Sequence, residues 1–231
     1  MIPTTIEIVD IAGLVKGASK GEGLGNKFLA NIRNTHAIIH VLRCFDNGNI
    51  THVDGSIDPV RDKGIIDTEL QLKDLETIEN RLGKTQKQAA VGGDKNAKRQ
   101  VELLLQYKSV LEQGRSARTV ELEKEDRKLV ADLNLLTDKP VLYVCNVDEK
   151  SAVTGNEHTR AVEAAIADER AEMLIVAAAT EADIAELDDP DEKAMFMEEL
   201  GLKQSGLDRL IQCSYELLGL ISFLTDGKKE C

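Results

Sequence analysis

The feature that most constrains the fold is a long stretch of helical periodicity in the middle of the chain. From Ile65 to Leu111, apolar residues recur mostly every three, four or seven positions, as they do on one face of a helix. The sequence "VGGDKNA" interrupts the pattern with residues that suit a reversal of chain direction. The spacing predicts an antiparallel helical hairpin within residues 65–138, with arms of about 20 residues and roughly 30 Å each. A further helix is expected at residues 123–136.

The regions on either side of this hairpin alternate strand and helix patterns. Such alternation is typical of a parallel sheet with helical crossovers. Both flanks are therefore expected to contribute to one α/β domain, with helices on both faces of its sheet and the hairpin as an insertion. The predicted strands are "TIEIV", "AIIHVLR", "PVLYVCN" and "EMLIVAA", and the predicted helices are "LGNKFLANIRN" and those near 158–170, 190–199 and 206–219.

Composition excludes several classes of function. The 231 residues contain no Trp and only 3% aromatics, which argues against a surface that stacks single-stranded bases. The four cysteines lack the spacing of a zinc site or a disulfide framework, as expected for the reducing cytoplasm. The apolar runs are far shorter than a membrane span, so no membrane partner is expected.

Charge is distributed unevenly along the chain, whose formal net charge is −12. Residues 81–118 hold nine Lys and Arg against three acids, whereas residues 181–199 hold nine acids and one Lys. A basic arm on an acidic protein suggests contact with a polyanion such as RNA, through Lys95, Lys98 and Arg99, without recognition of DNA sequence. The alternative is an ordinary solvated helical face.

The segment "DIAGLVKGASKGEGLGNKF" follows the first predicted strand. Its spacing fits neither the Walker A loop nor the dinucleotide fingerprint, since no Gly-Lys lies five residues after a Gly and Asn26 occupies the position of the third fingerprint Gly. The sequence "GKT" at residues 83–85 is no substitute, because it lies in the predicted helical arm. The glycines permit large backbone changes, which suits a switch.

Two motifs at strand ends point to a nucleotide site. Asp10 and Gly13 have the spacing with which P-loop NTPases hold Mg²⁺ and contact the γ-phosphate, although an isolated Asp-x-x-Gly is often only a turn. The sequence "NVDE", residues 146–149, follows another apolar strand, where a G domain carries its base-recognition loop.

Four stretches together resemble the YchF subfamily of Obg-like ATPases along essentially the whole chain: "DIAGLVKGASKGEGLGNKFLANIR", "HVLRCFDNGNITHVDG", "NVDE" and "EADIAELDD…FMEELGL". This resemblance implies a cytoplasmic P-loop NTPase with a coiled-coil arm, a C-terminal TGS domain and a partnership with the ribosome. It also implies that the chain is an internal fragment without the Walker A loop, switch I and the TGS domain, and this fragment is expected to be inactive alone. The expected divisions are 1–64 and 139–224 for the nucleotide domain, 65–138 for the arm and 225–231 for the start of a linker.

The resemblance also implies roles for the residues of the first flank. Asp10 is expected to hold Mg²⁺ bound with ATP or GTP, and Gly13 to contact the γ-phosphate. Leu14 stands where Ras-type enzymes have the Gln that orients the attacking water. In the YchF family a histidine takes that role, and the matching residue is His52 in "NITHVDG".

The base motif departs from the N-K-x-D of GTPases. Glu149 replaces the Asp that binds guanine, and Val147 replaces the Lys, while Asn146 is expected to tie the loop to its neighbours. The second base-side loop is expected at Ala178 and Ala179. In the family these changes accompany ATP use, so ATP is expected to be preferred to GTP. The alternative function is a non-enzymatic module that binds RNA or the ribosome through the basic arm.

Overall fold

The computed structural model describes residues 5–11, 24–47, 56–92 and 94–221. In chain order these residues form eight α-helices, three β-strands and three short 3₁₀ turns. The helices and strands are α1 (Leu24–Arg33), β1 (Ile38–Arg43), α2 (Pro59–Gly92), α3 (Lys95–Glu112), α4 (Lys124–Val130), β2 (Val141–Asn146), α5 (Glu157–Ile166), β3 (Ala171–Val176), α6 (Ala178–Glu186), α7 (Pro190–Glu199) and α8 (Gly206–Leu217). The 3₁₀ turns are Ala117–Thr119, Ala131–Leu133 and Glu149–Ser151.

The three strands form one parallel sheet in the order β1-β2-β3. Leu42 of β1 is level with Cys145 of β2, which is level with Ile175 of β3. Helices cover both faces: Val162 and Ile166 of α5 pack on one, and Leu210 of α8 packs on the other. The fold is therefore α/β, as the alternating strand and helix patterns predict.

The predicted strand "TIEIV" is wrong for the described part of the chain. No strand is formed over residues 5–11, and Ile8 and Val9 are more than half exposed. A strand needs a hydrogen-bonded neighbour, and in the described sheet β1 pairs with β2 alone. The apolar pattern of residues 5–9 indicates a strand but does not reveal whether a neighbouring strand is available.

The predicted helical hairpin is confirmed by α2 and α3, which pack against each other through Ile78, Leu103, Leu104 and Tyr107. Asp94 caps the second helix, because its carboxylate accepts hydrogen bonds from the N–H groups of the first turn of α3. The first helix begins at Pro59, earlier than the apolar periodicity indicates, and is about 50 Å long at 1.5 Å per residue. Residues 83–85 lie inside it, which confirms that "GKT" is no phosphate loop.

The helix expected at 123–136 ends early, because α4 stops at Val130. A 3₁₀ turn follows, and Asn134 then takes a left-handed conformation with φ of 49°. Two residues further along the chain, the backbone N–H groups of Leu136 and Thr137 donate to the carboxylate of Asp74 at 2.8 and 2.7 Å. The apolar periodicity of the sequence therefore extends beyond Val130, although the helix ends there and the later N–H groups donate to Asp74 instead.

Asp74 is fully buried on α2 and also accepts a hydrogen bond from the Thr137 hydroxyl at 2.8 Å. Burial raises the pKa of Asp74, while its three hydrogen bonds act in the opposite direction. The Thr137 hydroxyl also accepts from the N–H of Ala117, in the 3₁₀ turn after α3. One carboxylate thus joins the first arm helix to the segment that returns to the sheet.

A second polar cluster, centred on Glu169 in the turn between α5 and β3, lies at the root of the arm. Its carboxylate accepts hydrogen bonds from Tyr143 of β2 at 3.0 Å and from Arg118 at 3.2 Å, and it forms an ion pair with Lys63 of α2. Lys63 is also paired with Asp67 at 2.6 Å. The cluster therefore joins α2, the 3₁₀ turn after α3, β2 and the turn before β3.

The charges of the Glu169 cluster change the ionisation of its neighbours. Burial alone would lower the pKa of Lys63, but the carboxylates of Asp67 and Glu169 outweigh it and raise that pKa. Burial, and then the charge of Lys63, lower the pKa of His40 to about 4. At neutral pH, Lys63 is thus charged and His40 neutral.

None of the described helices is both long and apolar enough to cross a membrane. Cys44, Cys145 and Cys213 are free thiols. The hydrogen bond with Cys145, and then burial, raise the pKa of Cys44, so that this thiol stays protonated and packs as part of the core.

Candidate functional site

The carboxyl ends of β2 and β3 bring the predicted base-recognition residues together. The side-chain oxygen of Asn146, the last residue of β2, accepts a hydrogen bond from the N–H of Ala178 at 3.0 Å. The next N–H, of Val147, donates to the carbonyl of Val176 at 2.9 Å, and the Val147 side chain is buried. Asn146 therefore ties one predicted base-side segment to the other.

A 3₁₀ turn, Glu149–Ser151, follows these residues. The carboxylate of Asp148 accepts a hydrogen bond from the N–H of Ser151 at 3.0 Å and so caps the turn. Glu149 is exposed, and no described residue forms an ion pair with it. Of the two acids in "NVDE", Asp148 is thus committed to local structure, while the side chain of Glu149 faces solvent.

The sequence predicts a loop at Ala178 and Ala179, but these residues form the first turn of α6, a helix that the apolar pattern does not indicate. Both side chains are exposed, while Thr180 behind them is buried. The helix escapes prediction because only Thr180 and Ile184 are buried, which leaves little periodicity.

Asn156 is a structural residue of this edge that the sequence interpretation missed. It caps α5 through a reciprocal pair of hydrogen bonds with Thr159, and its amide donates to the carbonyl of Cys44 at 2.7 Å. The preceding Gly155 has φ of +67°, and a Cβ there would collide with the Thr159 hydroxyl. Asn156 and Thr159 are three positions apart, which is the spacing of a capping box and could have revealed this role.

A hydrogen bond between Glu181 of α6 and Gly206 of α8 joins the two helices beside the carboxyl end of β3. The Glu181 carboxylate accepts a hydrogen bond from the N–H of Gly206 at 2.6 Å, at the start of α8. A Cβ on Gly206 would lie 2.8 Å from that carboxylate oxygen and 3.0 Å from Val176. Close approach between α6 and α8 therefore requires glycine at this position.

The predicted phosphate and metal residues are only partly described. Gly13 and His52 lie outside the described residues, and Asp10 is exposed within segment 5–11. In the described part of the chain, no three His, Cys, Asp or Glu side chains group as a metal site. A single free carboxylate such as Asp10 still fits Mg²⁺ bound with a nucleotide, because phosphate oxygens and waters supply the remaining ligands.

The three predicted arm cations differ in their surroundings. Lys95 and Lys98 are exposed in the first turns of α3 and form no ion pair with a described residue. The guanidinium of Arg99 donates to both oxygens of Asp126, at 3.0 and 2.7 Å, and to Glu102 at 2.6 Å. These hydrogen bonds raise the pKa of Arg99 and lower that of Asp126. Arg99 therefore links α3 to α4, whereas the two lysines face solvent.

Comparison with known proteins gives a consistent result. Residues 2–73 match the 50S ribosome-binding GTPase family. The chain is 50% identical over 231 residues to "Ribosome-binding ATPase YchF" of Bacillus subtilis (strain 168) and 48% identical over 229 residues to the protein of that name from Escherichia coli O157:H7. The "Structure of the Schizosaccharomyces pombe YchF GTPase" matches with a TM-score of 0.79 at 31% identity, covering 94% of this chain and 59% of that one.

Each of these two bacterial alignments covers 99% of this chain, but only 63% and 62% of the respective relative. The chain thus spans less than two thirds of the length of the curated relatives it matches. Along its whole length the chain is a homologue of the proteins named YchF, and its parallel α/β fold agrees with that of the solved YchF structure.

Proposed function

We propose that this chain carries the base-recognition edge, the switch segment and the arm of a cytoplasmic, ribosome-associated ATPase that prefers ATP to GTP. The observation that carries the proposal is the hydrogen bond from the N–H of Val147 to the carbonyl of Val176 at 2.9 Å. Since this N–H is already used, the backbone of Val147 can meet a base only through its carbonyl, which is an acceptor.

An acceptor at this position discriminates between the two purines. Adenine presents its 6-amino group as a donor, whereas guanine presents the O6 acceptor at the corresponding place. The carbonyl of Val147 would thus attract adenine and repel guanine. The exposed carboxylate of Glu149 is one methylene longer than the Asp of guanine-specific motifs, which displaces it from the guanine edge.

We assign nucleotide hydrolysis to three residues of the first flank, residues 1–64. Asp10 would hold Mg²⁺, which neutralises developing charge on the phosphates when it is bound with nucleotide. Gly13 would contact the γ-phosphate, and His52 would orient or deprotonate the attacking water, since an imidazole with an ordinary pKa near ~6.5 can do so at neutral pH.

The base preference is tested by titrating ATP and GTP into isotope-labelled chain and following the amide NMR signals of Asn146, Val147 and Ala178. ATP is expected to shift these signals at about tenfold lower concentration than GTP, because a guanine would leave an acceptor facing an acceptor. The Glu149→Asp variant should reduce the difference between the ATP and GTP concentrations that shift these signals, because it restores the shorter acidic side chain of guanine-specific motifs.

The matched control is Glu186→Asp, which makes the same change at an exposed position of α6. It should leave the preference unchanged. If GTP shifts the three signals at the same concentration as ATP or at a lower one, the proposed adenine preference is wrong.

A second function, binding of RNA by the arm, is favoured by the free lysines of α3. Lys95 and Lys98 lie on consecutive turns near the distal end of the hairpin, and neither is committed to a described carboxylate. Arg99, in contrast, already holds Asp126 and Glu102. Exposed cations without a carboxylate partner can bind phosphates of a nucleic acid and so release the counterions that those phosphates hold.

The variant Lys95→Ala/Lys98→Ala is expected to weaken binding of a duplex RNA oligonucleotide and to reduce the slope of log affinity against log salt by about 1.5 to 2. Fluorescence anisotropy at several salt concentrations measures both quantities. Lys150→Ala/Lys203→Ala removes the same charge from exposed positions outside the arm and serves as the control. Equal weakening by both pairs would mean that the arm has no specific role.

A further inference from the structure

Helix α7 leaves an apolar groove uncovered on the side of the sheet domain. None of its ten residues is buried, and Met195 is 71% exposed. Beside it lies an open groove of about 420 Å³. The groove is lined by Ala194, Met197, Glu198, Gly201, Leu202 and Lys203. Apolar side chains around an open groove on an otherwise polar helix are typical of a docking surface.

The surroundings of the groove are strongly acidic. Residues 181–199 contain nine acids and one Lys. Within the described residues, none of these nine carboxylates forms an ion pair with a basic side chain; those of Glu181 and Asp189 accept backbone hydrogen bonds instead. In the arm, by comparison, Arg81, Arg99 and Lys108 are paired with carboxylates. The acidic charge around α7 is therefore uncompensated.

We propose that the α7 groove binds a lysine- and arginine-rich protein segment that inserts one large apolar side chain beside Met197 and Leu202. Charge complementarity selects a cationic partner, because like-charged groups brought to this face would be repelled. RNA is excluded as the occupant for that reason. The apolar lining selects an amphipathic segment rather than a purely basic one, and the flexible Met197 side chain can adapt to it.

This proposal is independent of nucleotide hydrolysis. It assigns the two oppositely charged regions of the chain to different partners: the basic arm to polyanions and the α7 face to a basic protein segment. A basic segment of a second copy, including its arm, is the competing occupant, and the experiments distinguish it.

The test uses two synthetic peptides of equal positive charge, one with a central Leu and one with Ser in its place. The Leu peptide is expected to bind about tenfold more tightly or better in isothermal titration calorimetry, because only its side chain is transferred from water into the groove. In spectra of the chain with labelled methionine methyl groups, the signals of Met195 and Met197 should shift, while that of Met173 in β3 should not.

Two variants assign the interaction to this face. Met197→Ser should abolish the advantage of the Leu peptide, and circular dichroism checks that it folds; since α7 buries no residue, its fold is expected to persist. Asp191→Asn/Glu192→Gln should weaken both peptides by severalfold at low salt. The matched control, Glu163→Gln/Asp168→Asn, removes two exposed acids outside residues 181–199 and should have a smaller effect.

Each contrary result overturns the proposal. Equal affinity for the two peptides, or a Met173 shift as large as that of Met197, would show that the groove takes no apolar side chain. Equal weakening by the two charge variants would show general attraction to an acidic protein. Concentration-dependent self-association that Lys84→Ala/Lys87→Ala removes would make a second copy the occupant, and binding of an RNA oligonucleotide that shifts Met195 and Met197 would refute the choice of a protein partner.

Discussion

Replacing Glu169 by alanine is expected to lower the free energy of unfolding by about 3 kcal/mol, because the substitution removes the carboxylate that pairs with the largely buried Arg118 and one of the two carboxylates that pair with Lys63. The buried hydroxyl of Tyr143 also loses its acceptor. For a domain of this size, such a loss corresponds to a fall of roughly 6–12 °C in melting temperature. Urea denaturation followed by circular dichroism measures the change.

Two further variants separate charge from hydrogen bonding at this position. Glu169→Gln keeps an acceptor for Tyr143 but removes the negative charge, so it should lie between wild type and Glu169→Ala. Glu163→Gln, on an exposed position of α5, should change stability by no more than about 0.5 kcal/mol. If Glu169→Ala is as stable as Glu163→Gln, the cluster does not stabilise the root of the arm.

Replacing Asp74 by alanine is expected to cost about 3 to 4 kcal/mol. The substitution leaves the N–H groups of Leu136 and Thr137 without their acceptor in a buried position, and each such group costs roughly 1–3 kcal/mol. The same urea experiment measures the loss. Because the affected segment returns from the arm to the sheet, hydrogen exchange at residues 134–137 should also accelerate.

The intermediate variant is Asp74→Asn, whose amide has one acceptor oxygen for three donors and should recover only part of the loss. Glu76→Ala provides the control, since it removes an acid from an exposed ion pair with Lys73 on the same helix. A loss below about 1 kcal/mol for Asp74→Ala would mean that water or a shift of the backbone satisfies the freed groups.

Much of the fold is accessible from the sequence, because its main elements bury regular patterns. The strands β1, β2 and β3 are short apolar runs, and the arm helices repeat apolar residues through Ile78, Leu103 and Leu104. These patterns report burial against neighbours that the structure contains. The predicted strand "TIEIV" has the same pattern but no described partner strand, and a pattern alone cannot reveal that difference.

The polar connections were harder to predict for a physical reason. Lys63, Asp74 and Glu169 read as ordinary surface residues, since charged side chains are seldom buried without partners that lie far away in the sequence. Their partners are 63 residues apart for Asp74 and Thr137, and 106 for Lys63 and Glu169. Similarly, the sequence presents Lys95, Lys98 and Arg99 as equivalent, whereas in the structure the ion pairs with Asp126 and Glu102 distinguish the arginine.

The predicted base-recognition residues are an intermediate case, because the sequence indicates their proximity but not their local geometry. Proximity of Asn146 and Ala178 follows from the rule that parallel strands end at the same edge, and the hydrogen bond between them agrees with it. The helical conformation of Ala178 and Ala179 and the use of the Val147 N–H by Val176 depend on local geometry that no spacing specifies.

The uninterrupted length of α2 gives the arm mechanical leverage. Lys63 and Asp74 anchor its first half to the sheet domain, while its second half extends away. The distal end of α2 lies 18 residues, or about 27 Å, beyond Asp74, so a tilt of about 5° there would displace that end by about 2 Å. A rearrangement too small to alter the sheet would thus be amplified into a movement large enough to make or break contacts at the hairpin turn.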